Sequence, residues 1–144
     1  MRTFKMPNIL ANQWTSLWEN HTLNEKIERD GQISKYCTGG QILHFNIDAN
    51  VTSSQAKTLI KKAINKGLEH FSLNSVYIEC KECGNVHKGN LNVCPDCGSN
   101  KLDKFSRVIG YFSKIANWNK TRREEDFPNR KFATNEQLCE ELGK

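Results

Sequence analysis

Four cysteines in this chain are spaced to hold a metal ion: Cys80-Lys81-Glu82-Cys83-Gly84 and Cys94-Pro95-Asp96-Cys97-Gly98. Thiolate sulfur is soft and anionic, and a Cys-x-x-Cys turn lets two sulfurs converge on one ion. The glycine after each pair permits the positive φ that such a turn favours. Ten residues, Gly84 to Val93, separate the pairs, so Cys80, Cys83, Cys94 and Cys97 can close a tetrahedral shell of the zinc-ribbon kind. Two disulfides, a redox-active dithiol and an iron–sulfur centre compete for the same residues, and the spacing favours zinc. A closed four-sulfur shell has no open position, so its expected role is structural. His87 lies between the pairs. With four thiolates at hand it is expected to be a solvated surface histidine.

The second chemical feature is Arg107-Val108-Ile109-Gly110-Tyr111. Glycine is the easiest backbone position at which to house a radical. Loss of one α-hydrogen leaves a planar carbon conjugated with an amide nitrogen on one side and a carbonyl on the other. No β-carbon obstructs planarity or an approaching hydrogen abstractor. Taken alone, the motif reads more readily as a turn before Tyr111-Phe112. Following so closely on the cysteine pairs, it suggests a glycine poised for radical chemistry beside a metal-stapled platform.

The elements that would position these residues form about one domain in 144 residues. An apolar fraction of 37% allows a modest core, and 26% charged residues argue against wholesale disorder. The net charge of +5 suits phosphates or an acidic partner surface without deciding for nucleic acid. No stretch approaches the ~20 apolar residues that span a bilayer, and Met1 to Asn8 lacks the apolar run of a secretory signal. A cytoplasmic location is expected, where cysteines are reduced or metal-bound.

Residues 1–21 carry Phe4, Ile9, Leu10, Trp14, Leu17 and Trp18 without periodicity. They read as an irregular segment whose tryptophans dock on a partner. Thr22, with Glu25 three residues on, caps a helix through about Ile33. After Gly39-Gly40, residues 41–47 read as a strand. Thr52, Ser53 or Ser54 caps a second helix through Lys66 that ends at Gly67. Lys57, Lys61, Lys62 and Lys66 form its wet face. Phe71 to Ile78 reads as one further strand, which suggests a βαβ unit. A charged tail runs from Lys120 to Lys144. Asn12 and His44 are expected to make structural hydrogen bonds. Tyr111 and Trp118 are expected to pack around the glycine loop.

Taken together, these features resemble the C-terminal region of anaerobic (class III) ribonucleotide reductases. The resemblance covers about residues 9–132. It runs through Asn12-Gln13-Trp14, Leu17-Trp18-Glu19, Thr38-Gly39-Gly40 and His44-Phe45-Asn46-Ile47. It continues through Glu69-His70-Phe71 to Asn74, Tyr77-x-Glu79-Cys80, the cysteine pairs, Gly110 and Trp118-Asn119-Lys120-Thr121-Arg122-Arg123-Glu124. It implies an α/β fold: a C-terminal fragment of a glycyl radical enzyme barrel, with a zinc ribbon and a glycyl radical loop. Residues 1–79 would be a partial barrel region, 80–98 the ribbon, 99–132 the radical loop region and 133–144 the charged tail.

The resemblance makes Gly110 the radical glycine and Cys80, Cys83, Cys94 and Cys97 the zinc ligands. It implies an activating enzyme that uses an iron–sulfur cluster and S-adenosylmethionine to install the radical. Ribonucleoside triphosphates would be reduced to deoxyribonucleotides through a thiyl cysteine on the barrel. Family members are several times longer, and neither Cys37 nor Cys139 matches that thiyl position. A separate barrel chain is therefore expected as partner, and the ribonucleotide as substrate only of the assembled enzyme. The competing reading is a non-catalytic zinc-ribbon module for nucleic acid or protein. Its loop offers only Lys88 and no stacking aromatic, so nucleic acid is disfavoured.

Overall fold

Three helices begin in the same way, and the capping residues explain why. The computed structural model describes residues 14–39, 41–108 and 110–143. Helix α1, Leu23–Ser34, starts where the Thr22 hydroxyl accepts from the Glu25 N–H and the Glu25 carboxylate accepts from the Thr22 N–H. This reciprocal box satisfies two otherwise orphaned donors. Strand β1, Leu43–Asn46, follows. Helix α2, Ser53–Asn65, repeats the box with Thr52 and Gln55, and Gly67 at φ 82° turns the chain back.

Strand β2, Phe71–Asn74, pairs in parallel with β1, Leu43 opposite Phe71 and Asn46 opposite Asn74. The expected βαβ unit is present. Its apolar side is the core: Leu43 and Phe45 from β1, Leu59 and Ala63 from α2, and Leu23 and Ile27 from α1 are all buried. Phe45 and Phe71 meet edge-on at 5.9 Å.

The single strand expected over Phe71 to Ile78 is two strands in two sheets. At Asn74-Ser75 the side chains bond across to β1: Asn74 Nδ2 donates to Asn46 Oδ1 at 2.7 Å, and Ser75 Oγ to Ile47 O at 2.9 Å. After the fully buried Val76 the chain enters β3, Tyr77–Cys80. This strand belongs to an antiparallel sheet with β4 (Val86–Lys88), β5 (Leu102–Arg107) and β6 (Phe112–Lys114), in the order β4-β3-β5-β6. Apolar composition does not reveal such a switch, because both halves are strands.

The segment read as a charged tail contains helix α3, Asn135–Leu142, capped by a third box from Thr134 and Gln137. Leu138 and Leu142 are buried in the α1–α2 core, and the Glu141 carboxylate accepts from the Leu23 and Asn24 N–H groups at the start of α1. Acidic charge at a helix N-terminus is favourable. Leu138→Ala is expected to destabilise the fold by about 3 kcal/mol. Chemical denaturation that shows no change would restore the tail reading.

Two further expectations shift. Trp18 is half-buried, and its Nε1 donates to Asp126 Oδ1 at 3.1 Å, so this chain itself claims it; Trp14 remains 57% exposed. On α2, Lys57 and Lys61 are exposed. Lys66 is exposed as well, in a surface ion pair with Glu28 at 2.6 Å, whereas Lys62 Nζ donates to Asn24 Oδ1 and Glu141 O. Phe4, Ile9, Leu10 and Asn12 lie outside the described residues. Among the described residues no helix is long and apolar enough to cross a membrane.

Candidate metal centre and glycine loop

Strand β3 delivers Cys80 into a tight turn. The Gly84 N–H donates to Cys80 O at 2.9 Å and the Cys80 N–H to Asn85 O at 3.0 Å. The second turn repeats this pattern, with Gly98 to Cys94 O at 3.0 Å and Cys94 to Ser99 O at 2.8 Å. Gly84 and Gly98 have φ of 74° and 71°, which explains the glycine after each pair. The two turns face each other. Cys80 and Cys97 sulfurs are 3.5 Å apart, Cys83 and Cys94 sulfurs 3.7 Å, and all four lie within 4.8 Å of one another. Zinc–sulfur bonds of ~2.3 Å in a tetrahedron place sulfurs about 3.8 Å apart. The donor set therefore fits a metal ion such as zinc.

The thiols are electrostatically unequal. The Cys83 and Glu82 backbone N–H groups favour thiolate at Cys80, whose pKa falls to about 6. At Cys97 the Ser99 N–H acts in the same sense, but the Cys80 thiol and burial outweigh it and push the pKa up to about 12. His87 is not a free surface group. Its Nε2 lies 3.2 Å from Asp96 Oδ2 and 3.9 Å from Cys94 Sγ, at the rim of the clamp. Cys37 and Cys139 stand apart: the first contacts Ile33 O and the second is exposed on α3.

Gly110 lies in the turn from β5 to β6, after the last pair, Arg107 opposite Phe112. It is exposed, and a Cβ there would meet nothing within 4 Å among the described residues. The base of the loop, by contrast, is tightly held. Arg130, 6% exposed, donates from Nη1 to Arg107 O at 2.7 Å and from Nη2 to Val108 O at 3.3 Å. Asp126 grips the same guanidinium through both oxygens, at 3.1 Å from Nε and 2.6 Å from Nη2. Trp118 stacks beneath it, with Cζ 5.1 Å from the ring centroid. From the other side, Asn74 Oδ1 accepts from the Ser106 hydroxyl and the Arg107 N–H, each at 3.4 Å.

Trp118 thus packs under the loop as expected, whereas Tyr111 is 67% exposed. The roles of Asp126, Asn46 and Asn74 escape a reading of the sequence, although the last two fall within the stretches that carry the family resemblance. The spacing of Asp126 and Arg130 at i, i+4 was the available signal for one pair.

The clamp and the glycine are not side by side. Leu102, opposite Cys80, begins β5 and Arg107 ends it. Six strand residues span about 20 Å, so the clamp and the glycine loop lie at opposite ends of β5.

On the face of β1 opposite the core, His44 is 5% exposed, its Nδ1 3.1 Å from Ser72 Oγ. Burial, then the Arg130 and Arg107 charges, lower its pKa to about 4. The folded state therefore resists protonation that the unfolded chain accepts at about pH 6.5. Stability is fully present above that pH and falls by up to about 3 kcal/mol as pH drops towards 4. Denaturation of His44→Gln should show less acid loss over that window; an unchanged pH profile would refute the assignment.

Comparisons with known proteins agree with this architecture. The family profile described as anaerobic ribonucleoside-triphosphate reductase matches residues 9–132. Comparison with curated proteins gives no match. Among solved structures, one described as "Anaerobic ribonucleotide reductase" is similar over 86% of this chain and 20% of its own, with 30% identity and a TM-score of 0.68. The anaerobic ribonucleotide reductase from Thermotoga maritima with glycerol in the active site is similar over 82% of this chain and 18% of its own (30% identity, TM-score 0.60). The same enzyme in complex with dATP and CTP is 32% identical over 79% of this chain, with a TM-score of 0.60. The chain spans about a fifth of the length of these relatives. With the profile covering most of the sequence and the matched structures sharing its fold, this chain belongs to the anaerobic ribonucleoside-triphosphate reductase family.

Proposed function

We propose that this chain is the glycyl radical-bearing part of an anaerobic ribonucleotide reductase, with Gly110 as the radical site. Cys80, Cys83, Cys94 and Cys97 hold a structural zinc ion. The barrel, with the cysteine that takes the ribose 3′-hydrogen, comes from a separate chain, and an activating enzyme installs the radical. The observation that carries this reading is the contrast within one hairpin. The turn around Gly110 has a base fixed by Arg130, Asp126 and Asn74, yet its glycine is exposed with open space where a side chain would stand. Packing within the described residues gives no reason for glycine there. Access for a hydrogen abstractor does.

The residues divide the work. Arg130 and Asn74 orient the strand ends so that the glycine is presented in one place, since a misplaced radical carbon loses rate steeply. Bound zinc would supply cross-linking of the two cysteine turns and no chemistry, because all four ligand positions are protein sulfurs. The exposed edge around Tyr111 must be covered in the assembled enzyme, because solvent and oxygen consume carbon radicals.

The test is anoxic incubation with the activating enzyme, S-adenosylmethionine, a reductant and the barrel chain. A glycyl doublet in electron paramagnetic resonance and deoxyribonucleotide formation are the expected results. If a full-length relative gives the doublet under these conditions and this chain does not, the proposal fails. Cys94→Ser is expected to reduce zinc content from one per chain towards zero and to lower the melting temperature. Metal analysis with thermal denaturation reads both, and full zinc retention would exclude Cys94 as a ligand.

A further inference from the structure

We infer that Arg107 tunes the radical held at Gly110 by hydrogen-bonding the carbonyl over which the unpaired spin spreads. This rests on Gly110 being the radical site. Arg107 Nη1 donates to Gly110 O at 3.0 Å. The guanidinium is placed by its surroundings: its Cζ lies over the Phe112 ring, 5.1 Å from the centroid, and Phe112 meets Tyr77 edge-on at 5.6 Å. The Arg107 backbone is pinned at both ends, its N–H to Asn74 Oδ1 and its carbonyl by Arg130 Nη1. Its Nε is buried with no hydrogen-bond partner among the described residues. A buried donor left unpaired is unfavourable. The side chain is therefore held in a pose that serves the Gly110 carbonyl at the expense of its own hydrogen bonding.

The chemistry of the carbonyl gives that contact a purpose. When an alkyl radical derived from S-adenosylmethionine takes one α-hydrogen atom, the Gly110 C–H bond breaks and a C–H bond forms on the abstractor. One electron stays on Cα, and no proton is released. That electron is shared with the amide nitrogen and the carbonyl, and the resonance form that draws nitrogen density through Cα makes the oxygen more negative. A cationic donor on this oxygen binds the radical more strongly than it binds ordinary glycine, because charge-assisted hydrogen bonds strengthen with acceptor charge. Only an interaction that grows between the two states stabilises one over the other.

The full chain, activated anoxically with its activating enzyme and the barrel chain, provides the test. High-field paramagnetic resonance reads the g-tensor, carbonyl-13C-glycine labelling reads spin on the carbonyl carbon, and anoxic decay reads lifetime. Arg107→Gln is expected to shift both spectroscopic values and to shorten the lifetime about tenfold, the loss of one charge-assisted bond. Arg107→Lys should recover most of the effect, which a purely structural role would not require. An Arg107→Gln radical with wild-type g-values, 13C coupling and lifetime overturns the inference and leaves Gly110 as the radical site. If the variants fail to fold, judged by zinc content, wild-type protein with guanidino-15N arginine decides. Its radical should show a 15N coupling by electron–nuclear double resonance, and absence of that coupling overturns the inference. No doublet from the wild type would sink both the Gly110 reading and this one.

Discussion

Gly110→Ala should abolish the glycyl doublet completely while leaving fold, zinc content and melting temperature unchanged. The expectation of an intact fold comes from geometry: a Cβ at this position meets nothing within 4 Å among the described residues. Most glycine replacements in tight turns lose stability through strain or collision, so a silent structural effect would itself mark the position as unusual. The loss of signal comes from chemistry. A methyl group on Cα crowds the planar radical and the approach of the abstractor. A second readout needs no variant: once activated and exposed to air, the wild-type chain should be cut at Gly110, separating the 34 residues that follow it. Mass spectrometry would detect that fragment, and Gly110→Ala should stay whole. An alanine variant that still gives a doublet, or wild-type protein that carries the radical yet survives air intact, would move the radical elsewhere.

Asp126→Ala is expected to be the most damaging substitution for stability, at about 3–5 kcal/mol. It would leave the Arg130 guanidinium, its side chain 2% exposed, buried without its main counter-ion. Burial alone would raise the Asp126 pKa, but the Arg130 contacts outweigh it and hold the carboxyl below its usual range. By linkage this pair stabilises the fold above about pH 4 and loses that contribution as acid protonates the carboxylate. Trp18 Nε1 and Arg122 Nη1 also contact Asp126, so its loss should loosen both the 14–18 segment and the base of the glycine loop. Chemical denaturation measures the first effect and limited proteolysis near residues 107–111 the second. Asp126→Asn keeps an acceptor without the charge and should fall between the two. A change of less than about 1 kcal/mol for alanine would show that the pair contributes no more than a surface ion pair and that Arg130 does not depend on Asp126 to hold the loop.

The sequence was most legible where chemistry is local. The two cysteine turns could be read from spacing because each is closed by bonds within six residues, from Cys80 to Asn85 and from Cys94 to Ser99. The starts of α1 and α2 were legible for the same reason, since a capping box spans four residues. The third box, Thr134 to Gln137, carries the same signal. It was obscured by the acidic run around it, although Leu138 and Leu142 stand on one face four residues apart.

What stayed hidden depends on contacts between distant residues. The break of one apparent strand at Asn74-Ser75 follows from the pairing of Asn74 with Asn46, 28 residues away. The burial of Arg130 follows from carbonyls 22 and 23 residues upstream. A basic residue in a charged stretch reads as solvated until the fold brings a carboxylate and an indole to it.

Composition and spacing by themselves determined which sulfurs can converge on a metal and where two of the helices begin, since each rests on covalent neighbours and short hydrogen-bonded rings. Tertiary structure alone decided that the sulfur clamp and the glycine stand at opposite ends of one strand, and that Trp18, Asp126 and Arg130 brace the base of the glycine loop. Side-chain pairing across the fold is set by which surfaces exclude water together, and no short window of residues contains that information.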